Sequence, residues 1–404
     1  MNYIYDYDIS IILVNYNGKR YIDGLLDSLL ELKHDEFTYE IIFVDNNSSD
    51  ESVDYLKSRY GDACNLKIVE TGENRGFAGG NNAGVEASSG RYIVLLNNDT
   101  VVDENWLHNL YQFMLQHTDC GMANSKLLFY YDFVKMKFET KDKIFIEKQL
   151  LINGIEYQID NKFCKNLLYE QDRIVCFGHS EICIPLLVGH DNSYEIKVKI
   201  KDACERDKIL FGSVERNALI GEVTINIESV LVNQYKFSLI QNAGSGINEN
   251  YDGYDIGFCE RESEKYQKSY ELTNGCGAAI MMLREDFDKA GRFDEKFFMY
   301  YEDTDLSFRI KKLGKKIMYC PTAVVRHIHT GSSKEWSPFF TYHVYRNKLL
   351  MIGKDISKKK YWKYFVRQLL YGIRYRDFMK IKGTLDSFKI LYLNINVNYP
   401  NKNN

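Results

Sequence analysis

Residues 92–100 read Tyr-Ile-Val-Leu-Leu-Asn-Asn-Asp-Thr, an apolar run that ends abruptly in polar side chains. The apolar part predicts a buried parallel strand. Ligands of open α/β sheets bind just past the carboxyl ends of such strands. Asp99, with Asn97 beside it, therefore offers oxygen ligands to a hard divalent cation such as Mg²⁺ or Mn²⁺, which would hold a nucleotide diphosphate. An ordinary turn is the alternative, because Asn and Asp tolerate left-handed backbone and cap helices.

Two earlier predicted strands end in the same way. Residues 9–14 lead to Asn15 and Asn17, and residues 40–44 lead to Asp45. Strands and helices alternate with short connections, which predicts parallel strands joined by right-handed crossovers. We therefore expect the three polar strand ends to converge on one edge of the sheet.

A glycine-rich stretch at residues 73–82 follows a third short strand at 66–69. It predicts a polar loop that runs into a helix and lets the backbone approach a ligand closely. A dinucleotide-binding fold is disfavoured, because its glycine fingerprint should follow the first strand, where residues 15–18 are Asn-Tyr-Asn-Gly.

The pattern changes in the middle of the chain. Between residues 129 and 240, short runs such as 134–138, 143–146 and 194–200 alternate polar and apolar residues. This period of two predicts antiparallel strands in an inserted β-rich module, a sandwich or a curled sheet. A carbohydrate-binding role for this module is an open alternative to a structural one.

Acidic and aromatic side chains are densest at residues 293–309. Helical periodicity from Thr304 onward puts Glu302 and Asp303 at a helix N-terminus, which favours their charged forms. One of these carboxylates could act as a general base beside an aromatic acceptor platform. A capped helix with an acidic first turn is the alternative. Further on, His327 and His329 would point to the same face of an extended chain and could complete a metal site, unless they are structural or exposed.

The C-terminal region is basic and aromatic. Between His343 and Gly383 there are twelve Lys or Arg against two Asp, interleaved with aromatic residues. This composition predicts a helix that lies on an anionic membrane surface. The alternative is a solvated basic helix packed on the domain.

The bulk composition narrows the class of protein. The chain has 404 residues, enough for two or three domains, and its net charge of −4 does not point to nucleic acid. Nine cysteines without paired Cys-x-x-Cys spacing predict buried, reduced thiols in a cytosolic protein. An acidic N-terminus without an apolar segment does not predict a signal peptide, and the lack of an 18-residue apolar run argues against a spanning helix.

Five motifs together resemble family 2 inverting glycosyltransferases of the GT-A fold, and most closely the rhamnosyltransferase-like branch that builds bacterial surface polysaccharides. They include Glu-Asn-Arg-Gly-Phe-Ala-Gly-Gly-Asn-Asn and Phe-Asp-Glu-Lys-Phe-Phe-Met-Tyr-Tyr-Glu-Asp-Thr-Asp, and lie, in order, at residues 11–18, 41–50, 73–82, 95–100 and 293–310. The resemblance covers roughly residues 8–127 and 241–350, and it implies nothing about the role of residues 129–240.

The resemblance implies an α/β fold of the GT-A type, a Rossmann-like, mostly parallel sheet with an inserted β-rich module and a C-terminal helical region. The expected domains are a nucleotide-sugar-binding half at 1–128, the module at 129–240, an acceptor and catalytic half at 241–337, and a basic aromatic helical region and tail at 338–404. We expect a cytoplasmic protein that lies peripherally at the inner face of the cell membrane.

The resemblance also implies roles for single residues. Asp303 corresponds to the catalytic base, and Glu302 would help to position the acceptor or the base. Asp99 stands where the family's metal motif ends, and His327, with His329 as a close rival, looks like the later metal ligand for Mn²⁺ or Mg²⁺. Position 97 is Asn where many relatives carry Asp, which weakens the expected metal site. The residues implied in nucleotide-sugar binding are Asn15, Asn17, Asp45, Asn74, Arg75, Gly76, Asn81, Asn97 and Asn98.

The implied activity is the direct transfer, with inversion, of a sugar from a nucleotide-diphosphate donor such as dTDP-rhamnose or a UDP-hexose. The acceptor would be a glycan or a lipid-linked oligosaccharide. A non-catalytic glycan-binding or scaffold protein on a retired GT-A fold is the alternative, which Asn97 makes worth stating. A nucleotidyltransferase is disfavoured, because the aromatic and acidic stretch suits a sugar acceptor better.

Overall fold

The computed structural model describes residues 4–186, 193–328, 337–395 and 397. The chain divides into two compact units. The first contains Met1–Tyr130, Gln241–Phe258 and Ser263–Asn404, and the second contains Tyr131–Ile240 and Cys259–Glu262. Most of the predicted tail, residues 394–404, lies outside the described residues.

The first unit begins with alternating strands and helices. In chain order these are β1 (Tyr7–Asn15), α1 (Ile22–Leu30), β2 (Tyr39–Asp45), α2 (Ser52–Tyr60), β3 (Leu66–Glu70), α3 (Gly76–Glu86), β4 (Gly90–Asn97), β5 (Thr100–Val102), α4 (Trp106–Gln116) and β6 (Cys120–Phe129). β1 pairs in parallel with both β2 and β4, and β2 pairs in parallel with β3. Every residue of β2 is buried, which explains the unbroken apolar run at residues 41–44.

The strand register aligns the polar strand ends. Asn15 lies opposite Asp45 in the β1–β2 pair, and Val14 lies opposite Asn97 in the β1–β4 pair. The structure therefore confirms that these strand ends converge on one edge of the sheet.

The glycine-rich stretch is helical, not a loop, from Gly76 onward. The reason lies in how α3 packs against the sheet. A Cβ atom on Gly80 would lie 2.7 Å from Val14 Cγ1, and one on Gly84 would lie 2.9 Å from Val44 Cγ2 and closer still to Ile12. These glycines allow the axis of α3 to approach the strands. The sequence pattern alone did not distinguish this packing role from a role in letting the backbone approach a ligand.

The second unit is built from antiparallel strands, as its alternating sequence predicts. Its elements are β7 (Phe133–Ile152), β8 (Ile155–Gln158), β9 (Cys164–Tyr169), β10 (Ile174–Pro185), β11 (Tyr194–Asp202), β12 (Lys208–Phe211), β13 (Val214–Asn217), β14 (Gly221–Ile227) and α5 (Ser229–Tyr235). The expected separate strands at 134–138 and 143–146 are one 20-residue strand, β7. It stays extended through its polar middle because β10 pairs along most of its length.

The chain then completes the first unit. The remaining elements are β15 (Ile240–Asn242), β16 (Ser245–Ile247), β17 (Gly253–Asp255), β18 (Ala279–Leu283), α6 (Arg284–Lys289), α7 (Glu302–Lys312), β19 (Lys316–His327), α8 (Pro338–Met351), a π-helix (Ile352–Ile356), α9 (Lys358–Tyr375) and α10 (Phe378–Tyr392). The main sheet has the order β3-β2-β1-β4-β18-β6-β19-β5. β18 runs antiparallel to β4, whereas β19 runs parallel to β6.

Two composition-based expectations can be compared with this fold. None of the nine cysteines, all of which lie within the described residues, forms a disulfide, but only Cys120, Cys176 and Cys320 are buried, while Cys64 and Cys204 are exposed. No helix among the described residues is both long enough and apolar enough to cross a membrane.

The packing of α3 predicts a contrast between two helical glycines. Gly84→Ala should lower the free energy of unfolding by about 1–3 kcal/mol, because its new methyl group overlaps Ile12 and Val44. Gly24→Ala, in α1, meets its nearest atom at 3.4 Å and should be neutral or stabilising by up to about 1 kcal/mol. Urea denaturation followed by circular dichroism measures both. Equal effects of the two substitutions would contradict this account.

Candidate active site

The polar strand ends form a hydrogen-bonded network at the edge of the sheet. Asn15 Nδ2 donates to Asp45 Oδ1 at 3.2 Å and to Ser48 Oγ at 3.0 Å. Asn98 Nδ2 donates to Asn15 Oδ1 at 2.9 Å. Three of the residues that sequence analysis singled out thus lie together. Asn17 lies beside them but is exposed, and its Oδ1 accepts from Ser49 N at 2.7 Å, so it orders the loop after β2.

A neighbouring residue, Asn46, organises the start of α3. Its Nδ2 donates to Gly76 O at 2.9 Å, and its Oδ1 accepts from Arg75 N at 3.2 Å. Asn74 Oδ1 accepts from Gly76 N at 2.9 Å, which completes this turn. Sequence analysis did not single out Asn46, although it directly follows Asp45. Its importance is visible only in the structure, where its side chain is buried.

Two other residues from the glycine-rich stretch have partners within the protein. Arg75 Nη2 pairs with Glu295 at 2.8 Å. Asn81 is buried, and its Nδ2 donates to Phe77 O at 2.9 Å within α3. A cavity of about 430 Å³ opens beside Arg75 and is lined also by Asn74, Glu295, Lys296, Phe298 and Ile390.

Asp99 and His327 are brought together by pairing of β5 with β19, in which His327 lies opposite Thr100. His327 Nε2 lies 3.0 Å from Asp99 Oδ1, and Asn97 Nδ2 lies 3.3 Å from the same nitrogen. The other ring nitrogen, Nδ1, lies 2.6 Å from Gln241 Oε1. Gln241 follows no recognisable sequence signal, because it comes from the short strand β15, far from the other residues in the chain.

The hydrogen bonds around His327 fix what its ring can offer. Gln241 Oε1 can only accept, so this contact calls for a hydrogen on Nδ1 and directs the lone pair of the imidazole to Nε2. That lone pair faces a carboxylate oxygen of Asp99. A carboxylate oxygen and an imidazole lone pair that lie this close are a pair of atoms that one cation could bind.

The side chains at this point suit a divalent cation if a bound substrate supplies the remaining ligands. No group of three or more His, Cys, Asp or Glu side chains is placed to hold a metal ion within residues 4–186, 193–328, 337–395 and 397. His329 lies outside the described residues. The chain thus offers one carboxylate, one imidazole and the Asn97 amide. Hard cations such as Mg²⁺ are often held by one or two protein carboxylates together with substrate phosphates.

Asp303 and Glu302 begin α7 in different environments. Asp303 Oδ2 accepts from Gly277 N at 3.0 Å, and its Oδ1 accepts from Thr304 N at 2.6 Å. Glu302 is only 5% exposed, and its Oε2 has no hydrogen-bond partner among the described residues. Asp303 is therefore held by the backbone through both oxygens, whereas one oxygen of Glu302 is enclosed without a partner among the described residues.

Burial dominates the protonation of this pair. Burial raises the pKa of Asp303, and the hydrogen bonds from Gly277 and Thr304 counteract part of that rise. Burial and, second, the neighbouring Asp303 raise the pKa of Glu302 well above its usual value. The helix N-terminus was expected to favour the charged forms, but desolvation outweighs the helix dipole and shifts both pKa values upward.

The backbone just before the pair is strained. Phe298, Tyr300 and Tyr301 have φ angles of 64°, 71° and 67°, which bulky side chains rarely adopt. Asn347 of α8 holds this segment, since its Nδ2 donates to the carbonyls of Phe297 at 2.8 Å, Met299 at 2.8 Å and Tyr300 at 2.7 Å. Asn347 is fully buried, and sequence analysis had no signal for it.

The burial of Glu302 predicts a specific pH dependence of stability. A carboxyl whose pKa is raised by folding binds its proton more tightly in the folded state. Stability is therefore lost as the pH rises from the ordinary Glu pKa, about 4.3, through the raised value. Glu302→Gln lacks this titration, so its advantage over the wild type in free energy of unfolding should grow with pH.

Urea denaturation at a series of pH values from acid to neutral measures this difference. Glu264→Gln is the matched control, because Glu264 is exposed in the same unit. A difference between Glu302→Gln and wild type that does not change with pH would disprove the burial argument.

Comparisons with known proteins bear on this site. The profile of the family described as Glycosyl transferase family 2 matches residues 10–170. An uncharacterized glycosyltransferase of Haemophilus influenzae is 22% identical over 195 residues, 48% of this chain and 52% of that protein. The N-acetylglucosaminyl-diphospho-decaprenol L-rhamnosyltransferase of Mycobacterium tuberculosis is 43% identical over 51 residues, 13% of this chain and 17% of that protein. The chain thus spans about half, or less, of the length of these relatives.

A solved structure extends the likeness to the fold. The crystal structure of GalNAc-T7 with UDP, GalNAc and Mn²⁺ has a TM-score of 0.53 at 13% sequence identity, and the match covers 98% of this chain and 58% of that chain. At this identity the likeness shows the fold alone. Residues 10–170 thus match the family 2 glycosyltransferases that the motifs resemble, and the chain has the GT-A fold predicted from its motifs.

Proposed function

We propose that the protein is an inverting glycosyltransferase that moves a sugar from a nucleotide-diphosphate donor, dTDP-rhamnose or a UDP-hexose, to a glycan or lipid-linked acceptor in bacterial surface polysaccharide synthesis. One observation carries the proposal. A single fold unit contains the Asn15–Asp45 edge, the Asp99–His327 pair and a backbone-held Asp303 with a raised pKa. These are the parts that donor binding, diphosphate departure and acceptor activation each require.

The donor would bind along the edge of the sheet. Asp45 would bind the base, and Asn15 would hold Asp45 in place, since Asn15 Nδ2 donates to Asp45 and Asn98 Nδ2 donates to Asn15 Oδ1. Asn46 and Asn74 hold the turn before α3, which fixes the backbone that would line the nucleotide-sugar pocket. A divalent cation held by Asp99 and His327, with Asn97 beside them, would supply positive charge to the diphosphate leaving group.

Asp303 would act as the general base. It takes the proton from the acceptor hydroxyl as that oxygen attacks the anomeric carbon, and the sugar–phosphate bond breaks on the opposite face. The anomeric centre inverts in one displacement, without a covalent sugar intermediate. The raised pKa of Asp303 makes it a better proton acceptor than an exposed aspartate. Burial raises the pKa of Glu302 well above its usual value, which disfavours a second negative charge beside Asp303.

The name of one relative supports a lipid-linked acceptor. The similar mycobacterial protein is named for transfer of L-rhamnose to an N-acetylglucosaminyl-diphospho-decaprenol. An acceptor of this kind is anchored in a bilayer, so the enzyme would work peripherally at the inner face of the cell membrane.

The first test combines a donor panel with Asp303→Asn. dTDP-rhamnose, UDP-galactose, UDP-glucose, UDP-N-acetylglucosamine and GDP-mannose are offered with and without Mn²⁺, and both binding and turnover are measured. Wild type should bind and consume one donor. Asp303→Asn should bind it equally but turn it over about 10²–10⁴ times more slowly. Asp119→Asn, an exposed carboxylate in the same unit, is the control and should retain full turnover.

If no donor binds, the transferase proposal fails, and a glycan-binding role on a retired fold becomes the better account. If a donor binds and Asp303→Asn turns it over normally, the base is another residue.

A second prediction concerns Asn97. Asn97→Asp adds a carboxylate beside Asp99 and His327, so divalent metal affinity should rise by about tenfold, since charge count tunes such sites. Asn98→Asp, one residue away and bonded to Asn15, places the same charge outside the set and should leave metal affinity unchanged. Titration calorimetry with Mn²⁺, in the presence of the nucleotide diphosphate, compares the two. Equal affinities would show that position 97 does not face the metal.

A further inference from the structure

The helical hairpin of α9 and α10 carries an apolar outer surface that the fold leaves in solvent. Seven large apolar side chains on it are between 38% and 75% exposed, and we call them the outer seam: Trp362, Val366, Leu370, Ile373, Phe378, Leu385 and Tyr392. The seam joins both helices, because the Trp362 ring lies 5.5 Å from the Tyr392 ring.

Helical spacing shows that this surface is separate from the packing face of α9. Tyr361, Phe365, Gln368 and Gly372 are buried and form one stripe at intervals of three and four residues. Trp362, Val366, Leu370 and Ile373 form a second stripe at the same intervals. α9 thus has two faces with large apolar side chains, and the fold buries only one.

Basic side chains border the outer seam. The segment 358–393 has ten Lys or Arg against two Asp, in a chain whose net charge is −4. Lys359, Lys363 and Arg374 are exposed next to the second stripe of α9, and α9 itself has no Asp or Glu.

Not every basic residue of the region is available to this surface. Of the twelve Lys or Arg between His343 and Gly383, four are buried or paired with acidic side chains of the protein. Arg346 is fully buried, Lys348 pairs with Asp252, Lys354 pairs with Asp294 and Asp305, and Lys380 is buried.

We propose that the outer seam docks onto an anionic lipid bilayer, with its apolar side chains at the boundary of headgroups and acyl chains. Lys359, Lys363 and Arg374 then contact the lipid phosphates. An amphipathic helix with aromatic and aliphatic residues on one face and Lys or Arg beside it binds in this way. The local positive charge on an acidic chain argues for an anionic partner, and the aromatic side chains argue for one with an apolar interior.

The other flank of α9 leads to the candidate base. Arg367 Nη1 donates to Asn250 Oδ1 at 3.2 Å, and Tyr364 OH donates to Glu249 O at 3.2 Å, in the loop between β16 and β17. Tyr301 OH donates to Tyr251 O at 2.9 Å in the same loop, directly before Glu302 and Asp303. α9 therefore contacts, through its other flank, the loop next to the candidate base, and we expect a lipid-carried acceptor to approach the base from the docked side of α9. This last step rests on the proposed function; the docking does not.

Vesicle sedimentation of the full chain tests the docking. The probes are vesicles of phosphatidylcholine alone and of phosphatidylcholine mixed with phosphatidylglycerol. Wild type should bind only the anionic vesicles, and less at high salt. Lys359→Glu/Lys363→Glu and Val366→Ser/Leu370→Ser should each weaken binding by about tenfold or more. Lys141→Glu/Lys143→Glu, which makes the same charge change at exposed positions of β7, should bind like wild type.

Several results would overturn the inference: no binding of wild type to anionic vesicles, equal binding by the seam variants, or a lipid-independent dimer that Val366→Ser/Leu370→Ser dissociates. Circular dichroism checks that each variant is folded. Turnover with a water-soluble acceptor should be the same for the seam variants and wild type. If neither wild type nor any variant shows turnover, but their binding to vesicles is as expected, the proposed function fails and the docking stands.

Discussion

The parallel pairing of β1 with β2 and β4 is the constraint on which the rest of the site depends. Because the three strands run the same way in register, their carboxyl ends meet at one edge, and Asn15, Asp45 and Asn97 arrive there together. Helix α3 can lie close to these strands only because glycines face Val14, Ile12 and Val44. The turn before α3 then brings Asn74 and Arg75 to the same edge. The glycines on the sheet-facing side of α3 and the polar residues at the strand ends thus act together to form this edge of the sheet.

Desolvation decides the chemistry of the acidic pair. A helix N-terminus stabilises a carboxylate by a fraction of a kcal/mol to about 2 kcal/mol, which is less than full burial of an unpaired carboxylate costs. Asp303 offsets part of this cost with two backbone hydrogen bonds, whereas Glu302 Oε2 has none among the described residues. Adjacent residues of the same charge type thereby have different environments, one held by backbone hydrogen bonds and the other buried with an unpartnered oxygen.

The C-terminal helices hold the segment before Glu302 on their inner side and expose apolar side chains on their outer side. On the inside, the single amide of Asn347 holds three carbonyl groups of the left-handed segment before Glu302, so the geometry of the acidic pair depends on a helix more than forty residues later in the chain. Lys354 adds ion pairs to Asp294 and Asp305 on either side of that segment. On the outside, α9 and α10 expose the outer seam. Through Tyr364 and Arg367, α9 therefore also contacts the loop that accepts a hydrogen bond from Tyr301, directly before Glu302.

The sequence by itself determined the α/β class, the β-rich character of the second unit, the strand ends and the family, because periodicity and short polar motifs are local properties of the chain. It indicated Asp303, Asp99 and His327 because each stands in or near such a motif. Tertiary structure decided the rest: that residues 76–82 are helical, that Asn46, Gln241 and Asn347 support the site, and which basic residues of the C-terminal region face outward. These features depend on contacts between residues far apart in the chain and on burial, which changes the energy of a charge or an amide without leaving a local pattern.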